Sequence, residues 1–241
     1  MADTRLNTQT GSRVLIDQGL RSYMLRVYNY MGAGLAITGA AAYGTFQAAV
    51  DNGALTPFGN AIFVGPLKWA LILAPLAMVF FLSFRIEKMS VAAAQATFWA
   101  YAALVGVSFA SLGLIYTAGS IAQVFFITAG AFGALSLYGY TTKRDLAGLG
   151  SFLFMGLIGL IIASLVNLYF QSGTMALVLS AVSVLIFTGL TAWDTQQIKE
   201  MYFEADDSAT MGRKAIMGAL RLYLDFINLF LSLLRLFGNR N

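Results

Sequence analysis

Residues 220–238 read LRLYLDFINLFLSLLRLFG, and this stretch decides how the rest of the chain is interpreted. Its length and apolar character fit a membrane-spanning helix, which needs about 20 consecutive apolar residues. Asp225 nevertheless lies near its middle, with Arg221 one helical turn earlier. An ionised carboxylate inside hydrocarbon is strongly unfavourable unless another group partners it, and intramembrane acids mark functional positions. The stretch therefore predicts a membrane helix whose aspartate has a partner elsewhere in the protein.

The composition assigns the chain to a broad structural class. Of its 241 residues, 59% are hydrophobic and only 11% are charged, and the mean hydropathy is +0.73. Soluble domains contain about 25% charged residues, so this chain could not cover a water-facing surface. We therefore predict an all-α polytopic membrane protein, embedded in a lipid bilayer.

The sequence contains neither cysteine nor histidine. These absences exclude disulfides, thiolate metal sites, serine–histidine triads and histidine proton relays. Proton chemistry near neutral pH would have to use carboxylates, or a lysine in an unusual environment. The net charge of +4 is explained by basic loops, so we expect no nucleic-acid partner and no tightly bound cofactor.

Seven segments are long and apolar enough to be considered as membrane spans. Short loops connect them, and we expect tight turns around Gly119 and Gly173. Residues 1–26 are polar and lack the apolar run and cleavage site of a signal peptide. We therefore divide the chain into a cytoplasmic polar N-terminal segment, 1–26, and a single seven-helix transmembrane domain, 27–241. The predicted spans are 27–50, 64–84, 93–117, 120–140, 151–170, 174–194 and 215–237.

Basic residues indicate the orientation of the chain. Lys and Arg precede the first span and recur in every second loop after it, whereas loops 51–63, 118–119 and 171–173 contain none. The positive-inside rule therefore places the N-terminus in the cytoplasm. A seventh helix that spans fully would put the C-terminus outside, and a re-entrant one would return it to the cytoplasm.

Three charged residues are not explained by loop position alone. The topology puts Asp194, Asp225 and Arg85 at a similar depth on the cytoplasmic side. We predict that Asp194 and Asp225 form a carboxylate pair between adjacent helices, with Arg85 as their basic partner. Two carboxylates in contact cannot both ionise cheaply, so the pair would act as a pH-sensitive gate. Carboxylates are also hard oxygen ligands, and the pair would offer a weak Ca²⁺ site.

Each of these residues also has a simpler explanation. Asp194 would suit the membrane interface as a capping or snorkelling residue, and Arg85 would suit a helix end under the positive-inside rule. Arg221 and Asp225 are four residues apart on one helix face and could pair with each other. Asp225 is the hardest of them to explain without a functional role, because apolar residues flank it on both sides.

Two motifs carry a resemblance to a known family. AWDTQQIKEMY, at 192–202, and ALRLYLDFINLFLSLLRLFG, at 219–238, closely resemble the C-terminal signature of the Bax inhibitor-1 (transmembrane Bax inhibitor motif) family, in its bacterial branch. The likeness covers the whole chain in length and hydrophobic layout. It implies a seven-helix bundle in which six helices surround a central C-terminal one.

The resemblance also implies a site and an activity. Asp194 and Asp225 match a hydrogen-bonded pair that seals the cytoplasmic side, and Arg85 matches an arginine that exchanges partners with the first of these acids as the pore opens. Arg221 would tune the pH range of the pair. The implied function is a pH-sensitive calcium leak channel of the bacterial inner membrane, with Ca²⁺ as the permeant ion and no enzymatic activity. The alternative is a non-transporting regulator that binds a membrane-bound AAA protease or another membrane protein.

Two other classes with buried charged groups fit less well. Intramembrane aspartyl proteases also use two acids on adjacent helices, but their second acid lies in a G-x-G-D motif. The corresponding residues of this chain, 222–225, read LYLD. A retinal-binding protein needs a lysine in its last span, and 215–237 contains none.

For the oligomeric state, we expect the protein to be a monomer.

Overall fold

The computed structural model describes the backbone of residues 2–241 and the side chains from residue 18 onward. Met1 and the side chains of 1–17, which make up most of the predicted N-terminal segment 1–26, lie outside this description. The elements in chain order are α1 (Ala2–Ala49), β1 (Val50–Asp51), β2 (Ala54–Leu55), α2 (Pro57–Phe63), α3 (Leu67–Arg85), a 3-10 helix (Ile86–Lys88), α4 (Val91–Phe109), α5 (Leu112–Ile115), α6 (Ala118–Thr141), α7 (Ala147–Phe170), α8 (Gly173–Glu200) and α9 (Ser208–Phe237).

Side-chain caps determine where α6 and α8 begin. The hydroxyls of Thr117 and Ser172 each accept the backbone N–H three residues later, at 3.3 Å in both cases. A capped N–H replaces one of the hydrogen bonds that a helix start cannot make internally. The predicted turns around Gly119 and Gly173 were therefore misplaced, because both glycines already lie inside these helices.

Six helical segments of the described chain are long and apolar enough to cross a membrane, and they include α3, α4 and α6 to α9. The prediction of a polytopic all-α membrane protein is confirmed. The predicted span 27–50 lies in α1, which is not among the six because glycines, threonines and Gln47 dilute its apolar residues. However, α1 runs parallel to α4, with Gly34 against Phe98 and Thr38 against Gly106. It therefore extends along a spanning helix and completes the bundle.

The C-terminal helix α9 is the most buried of the six spanning segments. Its main neighbours are α8, α1, α6 and α4, while α3 packs on α4 and α7 packs on α8. The predicted central position of the last helix is confirmed. Four helices therefore surround α9 directly, and α3 and α7 pack on the outside of these four.

The end of the chain lies at the opposite end of the bundle from the basic loops. The backbone N–H of Thr117 donates to Asn239 O at 3.1 Å, and that of Asn241 donates to Ile115 O at 3.0 Å. These bonds tie the C-terminus to the α5–α6 turn, in a loop without Lys or Arg. The last helix therefore crosses the bundle completely, and it is not re-entrant.

Loop 51–63 contains regular secondary structure. Val50 pairs with Leu55 in the antiparallel β1–β2 ladder, and Asn52 and Gly53 form its turn with φ of 48° and 79°. Both values belong to the left-handed region that two-residue hairpin turns require. Helix α2 follows directly, so the first connection between spanning helices is a small folded unit.

Candidate functional site

The structure brings Asp194 and Asp225 together between two antiparallel helices. Asp194 lies six residues before the end of α8 at Glu200, and Asp225 lies in the middle of α9. Their carboxyl groups lie close enough for a protonated one to donate a hydrogen bond to the other. Asp225 is only 4% exposed, and the side chain of Asp194 is 14% exposed. The two acids thus form a contact that is largely closed to solvent.

A hydrogen bond between the two acids requires that one of them carries a proton. Oδ2 of Asp225 is buried and receives no hydrogen bond from a conventional donor among the described residues. Ionised carboxylates only accept hydrogen bonds, so two of them can bond to each other only when one carries a proton. The singly protonated pair therefore satisfies the geometry, whereas the doubly ionised pair leaves a buried oxygen without a donor.

Arg221 is the cation that the structure places beside this pair. Its Nη1 lies 3.9 Å from Oδ1 of Asp194, across the α8–α9 contact, and its side chain is 45% exposed. Among the described side chains, Arg221 forms this ion pair with Asp194 and none with Asp225. The simpler explanation of an ion pair within α9 is therefore not what the structure shows. Because Arg221 is nearly half exposed, screening keeps the strength of this pair modest.

Arg85 is not brought to the pair. It is the last residue of α3 and is exposed, and no ion pair to it occurs among the described side chains. The 3-10 helix that follows it packs on α9, which keeps Arg85 near the basic end of the central helix. Its predicted exchange with Asp194 would require a movement from this arrangement, and it stays a prediction.

Tyr23 of α1 adds a buried phenol that the sequence analysis missed. The residue is 2% exposed, and its ring centroid is 5.8 Å from that of Tyr202. Burial raises the pKa of Tyr23 to about 12, while the nearby Arg221 opposes the rise. The phenol therefore remains neutral at physiological pH and does not neutralise Arg221, so Asp194 is left to do so.

A metal ion would find few protein ligands at the pair. No group of three or more acidic residues suited to a metal occurs in the part of the chain that the structure describes. Ca²⁺ takes about six to eight oxygen ligands. Asp194 and Asp225 alone would therefore need water or backbone carbonyls to complete a Ca²⁺ site, and the predicted weak site remains a prediction.

A chain of hydroxyls next to the pair connects three helices. Tyr28 Oη lies 2.7 Å from Ser136 Oγ, which lies 2.8 Å from Thr195 Oγ1, and Thr195 donates to Thr191 O at 2.8 Å. Each hydroxyl has one proton, so the last bond fixes the order: Tyr28 donates to Ser136, and Ser136 donates to Thr195. Thr195 follows Asp194 directly, so this chain fixes the part of α8 that carries the acid.

Close backbone packing also positions α8. Gly139 of α6 lies against the backbone of Ala192, where a Cβ would collide with the carbonyl oxygen. Gln196 accepts the N–H of Leu146 at 2.8 Å and donates to Arg144 O at 2.9 Å. The sequence signals for these roles were present, as small or polar residues within apolar runs, but only the fold identifies their partners.

Comparison with known proteins places this chain in a family. The family model described as "Inhibitor of apoptosis-promoting Bax1" matches residues 20–241. A protein of Rickettsia prowazekii is 46% identical over 237 residues, which are 98% of each chain. The inner membrane protein YbhL of Escherichia coli K12 is 47% identical over 224 residues, 92% of this chain and 93% of its own.

A membrane protein of Streptococcus pyogenes serotype M3 is more distant, at 37% identity over 227 residues, 93% of this chain and 96% of its own. The family model covers both helices that hold the aspartate pair, and the predicted family resemblance is confirmed. The chain belongs to the Bax inhibitor family of membrane proteins.

Proposed function

We propose that this protein is a pH-sensitive calcium leak channel of the bacterial inner membrane, gated by Asp194 and Asp225. The observation that carries the proposal is the buried contact between two acids on different helices, which cannot hydrogen-bond to each other unless at least one carries a proton. Such a contact joins α8 to α9 in one protonation state and drives them apart in another. Membership of the family and the location stated in the name of YbhL support the membrane assignment.

The proposed gate works by gain and loss of the shared proton. With the proton present, a hydrogen bond holds the pair together and Arg221 balances the remaining charge. Once the proton is lost, two negative charges meet in a medium of low dielectric constant, where they repel far more strongly than in water. The helices then separate, and the two carboxylates become available to a passing cation. Arg85 would receive Asp194 in that state.

Flux measurements in liposomes test this proposal. We expect purified protein to pass Ca²⁺ into dye-loaded liposomes at a rate that rises with pH. In Asp225→Asn, the amide donates permanently to Asp194, so the rise with pH should disappear. Asp145→Asn is the matched control, because Asp145 is an exposed carboxylate in the α6–α7 loop, at the same end of the bundle. It should keep the parent dependence on pH.

Two results would overturn the channel proposal. One is the absence of Ca²⁺ flux at every pH in protein that remains folded. The other is an Asp225→Asn variant whose flux depends on pH as the parent's does. If flux is absent and a membrane-bound protease or another membrane protein co-purifies in stoichiometric amount, the function is that of a non-transporting regulator.

A further inference from the structure

A groove separates α1 from α6 at the basic end of the bundle. Its volume is about 420 Å³, and its walls come from Arg21 to Tyr28 on α1 and from Phe132 to Tyr140 on α6. These stretches are eight and nine residues long, which is seven and eight helical steps, so the groove runs for roughly 10–12 Å along the helices at about 1.5 Å per residue. Leu25 and Leu137, which line the groove, are 52% and 63% exposed, so the groove opens to the outside of the bundle, where a membrane-spanning protein meets lipid.

The floor of the groove suits hydrocarbon. Met24, Leu25, Phe132 and Leu137 supply most of its surface. Two of the groove's hydroxyls belong to the chain described above, in which Tyr28 donates inward to Ser136 and Ser136 donates to Thr195. Neither offers a free proton to an anion on the floor, so an extended apolar chain is the occupant that matches it. The third hydroxyl, on Tyr140, belongs to the mouth.

The mouth of the groove has the opposite character. Arg21 lies at its basic end and is exposed. Lys199 lies beside the rim, where its Nζ donates to Tyr140 O at 2.9 Å and stands 5.4 Å from the Tyr140 ring centroid. This ammonium offsets the negative end of the α6 dipole, which would otherwise repel an anion. None of the described lining residues is acidic.

We propose that this groove binds one anionic phospholipid, with an acyl chain along the apolar floor and the phosphate at Arg21. A basic mouth at the membrane interface above an apolar, sideways-open floor matches the two parts of such a lipid. A cation near the membrane surface attracts anionic headgroups, and each buried methylene adds to binding. The site is separate from the aspartate pair and does not depend on its function.

Lipid binding to the purified full-length protein tests the site. Native mass spectrometry with added phosphatidylglycerol or phosphatidylcholine measures the dissociation constant of the first bound lipid. We expect phosphatidylglycerol to bind about fivefold more tightly, and Arg21→Gln to remove that preference. Arg21→Lys should retain it. Arg26→Gln is the matched control, because Arg26 is exposed on the same helix but does not line the groove.

A second pair of variants tests the floor. Gly133 lines the groove, and a Cβ there would meet no atom within 4 Å, so Gly133→Leu should fill the groove without disturbing the fold. We expect it to weaken binding of both lipids at least fivefold. Gly130 lies on the same helix, and a Cβ there would also meet no atom within 4 Å, but it does not line the groove. Gly130→Leu should therefore leave the binding of both lipids unchanged. Equal losses for Arg21→Gln and Arg26→Gln, or unchanged binding in Gly133→Leu, would refute the site.

Discussion

Helix α9 has two faces that differ in how they are held. One carries Tyr223, Phe226 and Phe230 against the aromatic residues of α4 and α6, with ring centroids 5.4–6.2 Å apart. The other carries Arg221, Asp225, Asn228 and Ser232 at spacings of four, three and four residues. That polar face meets α8 at Asp194 and at Ser183, and it borders a cavity of about 340 Å³ between α7, α8 and α9.

The aromatic face is suited to hold α9 in place, and the polar face is suited to let it move relative to α8. Tightly packed aromatic rings lose many favourable contacts when they shift even slightly. The polar face is joined by a few bonds between hydroxyl or carboxyl groups and adjoins open space, so it can separate at lower cost. The gate that we propose on the polar face could therefore open while the aromatic face keeps α9 in place.

Removing an aromatic ring should have the largest effect on stability. Phe226 is 2% exposed and contacts Phe125 and Phe132, with centroids 5.4 and 5.6 Å away. We expect Phe226→Ala to lower the free energy of unfolding by about 3–5 kcal/mol, as measured by reversible denaturation in mixed micelles. Phe237→Ala removes a ring that is 68% exposed and should cost less than about 0.5 kcal/mol. Similar losses for both variants would show that the aromatic face does not anchor α9.

The same contrast explains how much of the fold could be predicted. The spanning segments follow from apolar length, which is a local property, so six of them coincide with observed helices. The hairpin turn at Asn52–Gly53 was overlooked although this dipeptide is a strong turn signal. The packing of α1 could not be read from its hydropathy, because buried apolar residues such as Val27 and Met31 act together with close contacts such as Gly34 against Phe98, and only the fold identifies these partners.

The candidate site was predictable only in part. Asp225 stood out because hydrocarbon residues surround it, and the topology placed Asp194 at a matching depth. The basic partner of the pair was harder to predict. Arg85 has the right depth, but in the structure Arg221 of α9 reaches Asp194 of α8. Helical spacing indicates which side chains share a face, and only the packing angle and rotation of two helices decide which cation reaches across.

Hydroxyl groups on the two faces allow a finer comparison. On the aromatic face, Tyr223 Oη lies 2.7 Å from Thr38 Oγ1, and on the polar face Ser183 Oγ lies 2.7 Å from Ser232 Oγ. Hydrogen bonds between membrane helices contribute about 0.6 kcal/mol on average and at most about 1.7. We expect Tyr223→Phe and Ser183→Ala each to lower the free energy of unfolding within that range in the same assay.

These variants isolate the hydroxyl groups from the packing. Tyr223→Phe keeps the ring, so its effect should be several-fold smaller than that of Phe226→Ala. Tyr138→Phe is the matched control, since Tyr138 is 47% exposed on α6 and its hydroxyl loss should be nearly neutral. A loss of several kcal/mol in Ser183→Ala would contradict the view that the polar face is the more easily opened one.

The cap at the N-terminus of α9 lies outside both contact faces, and removing it should give the smallest effect. Asp207 caps the helix by accepting the N–H of Thr210 at 3.1 Å. Hydrogen bonds from the Thr210 side chain and backbone, with a contribution from Arg213, hold the pKa of Asp207 below its usual range. A carboxylate with a lowered pKa stabilises the folded state above its unfolded pKa of about 3.9, and this stabilisation is lost as the pH falls through the folded pKa.

Asp207→Ala should therefore lower the thermal midpoint slightly at neutral pH, and its difference from the parent should shrink below about pH 4. Asp207→Asn separates capping from charge, because an amide oxygen also caps a helix but does not titrate over this range. It should retain most of the neutral-pH stability and lack the acid-dependent part. If Asp207→Ala instead alters the pH dependence of Ca²⁺ flux as strongly as Asp225→Asn does, the cap and the gate are coupled through α9, and the two faces do not respond separately.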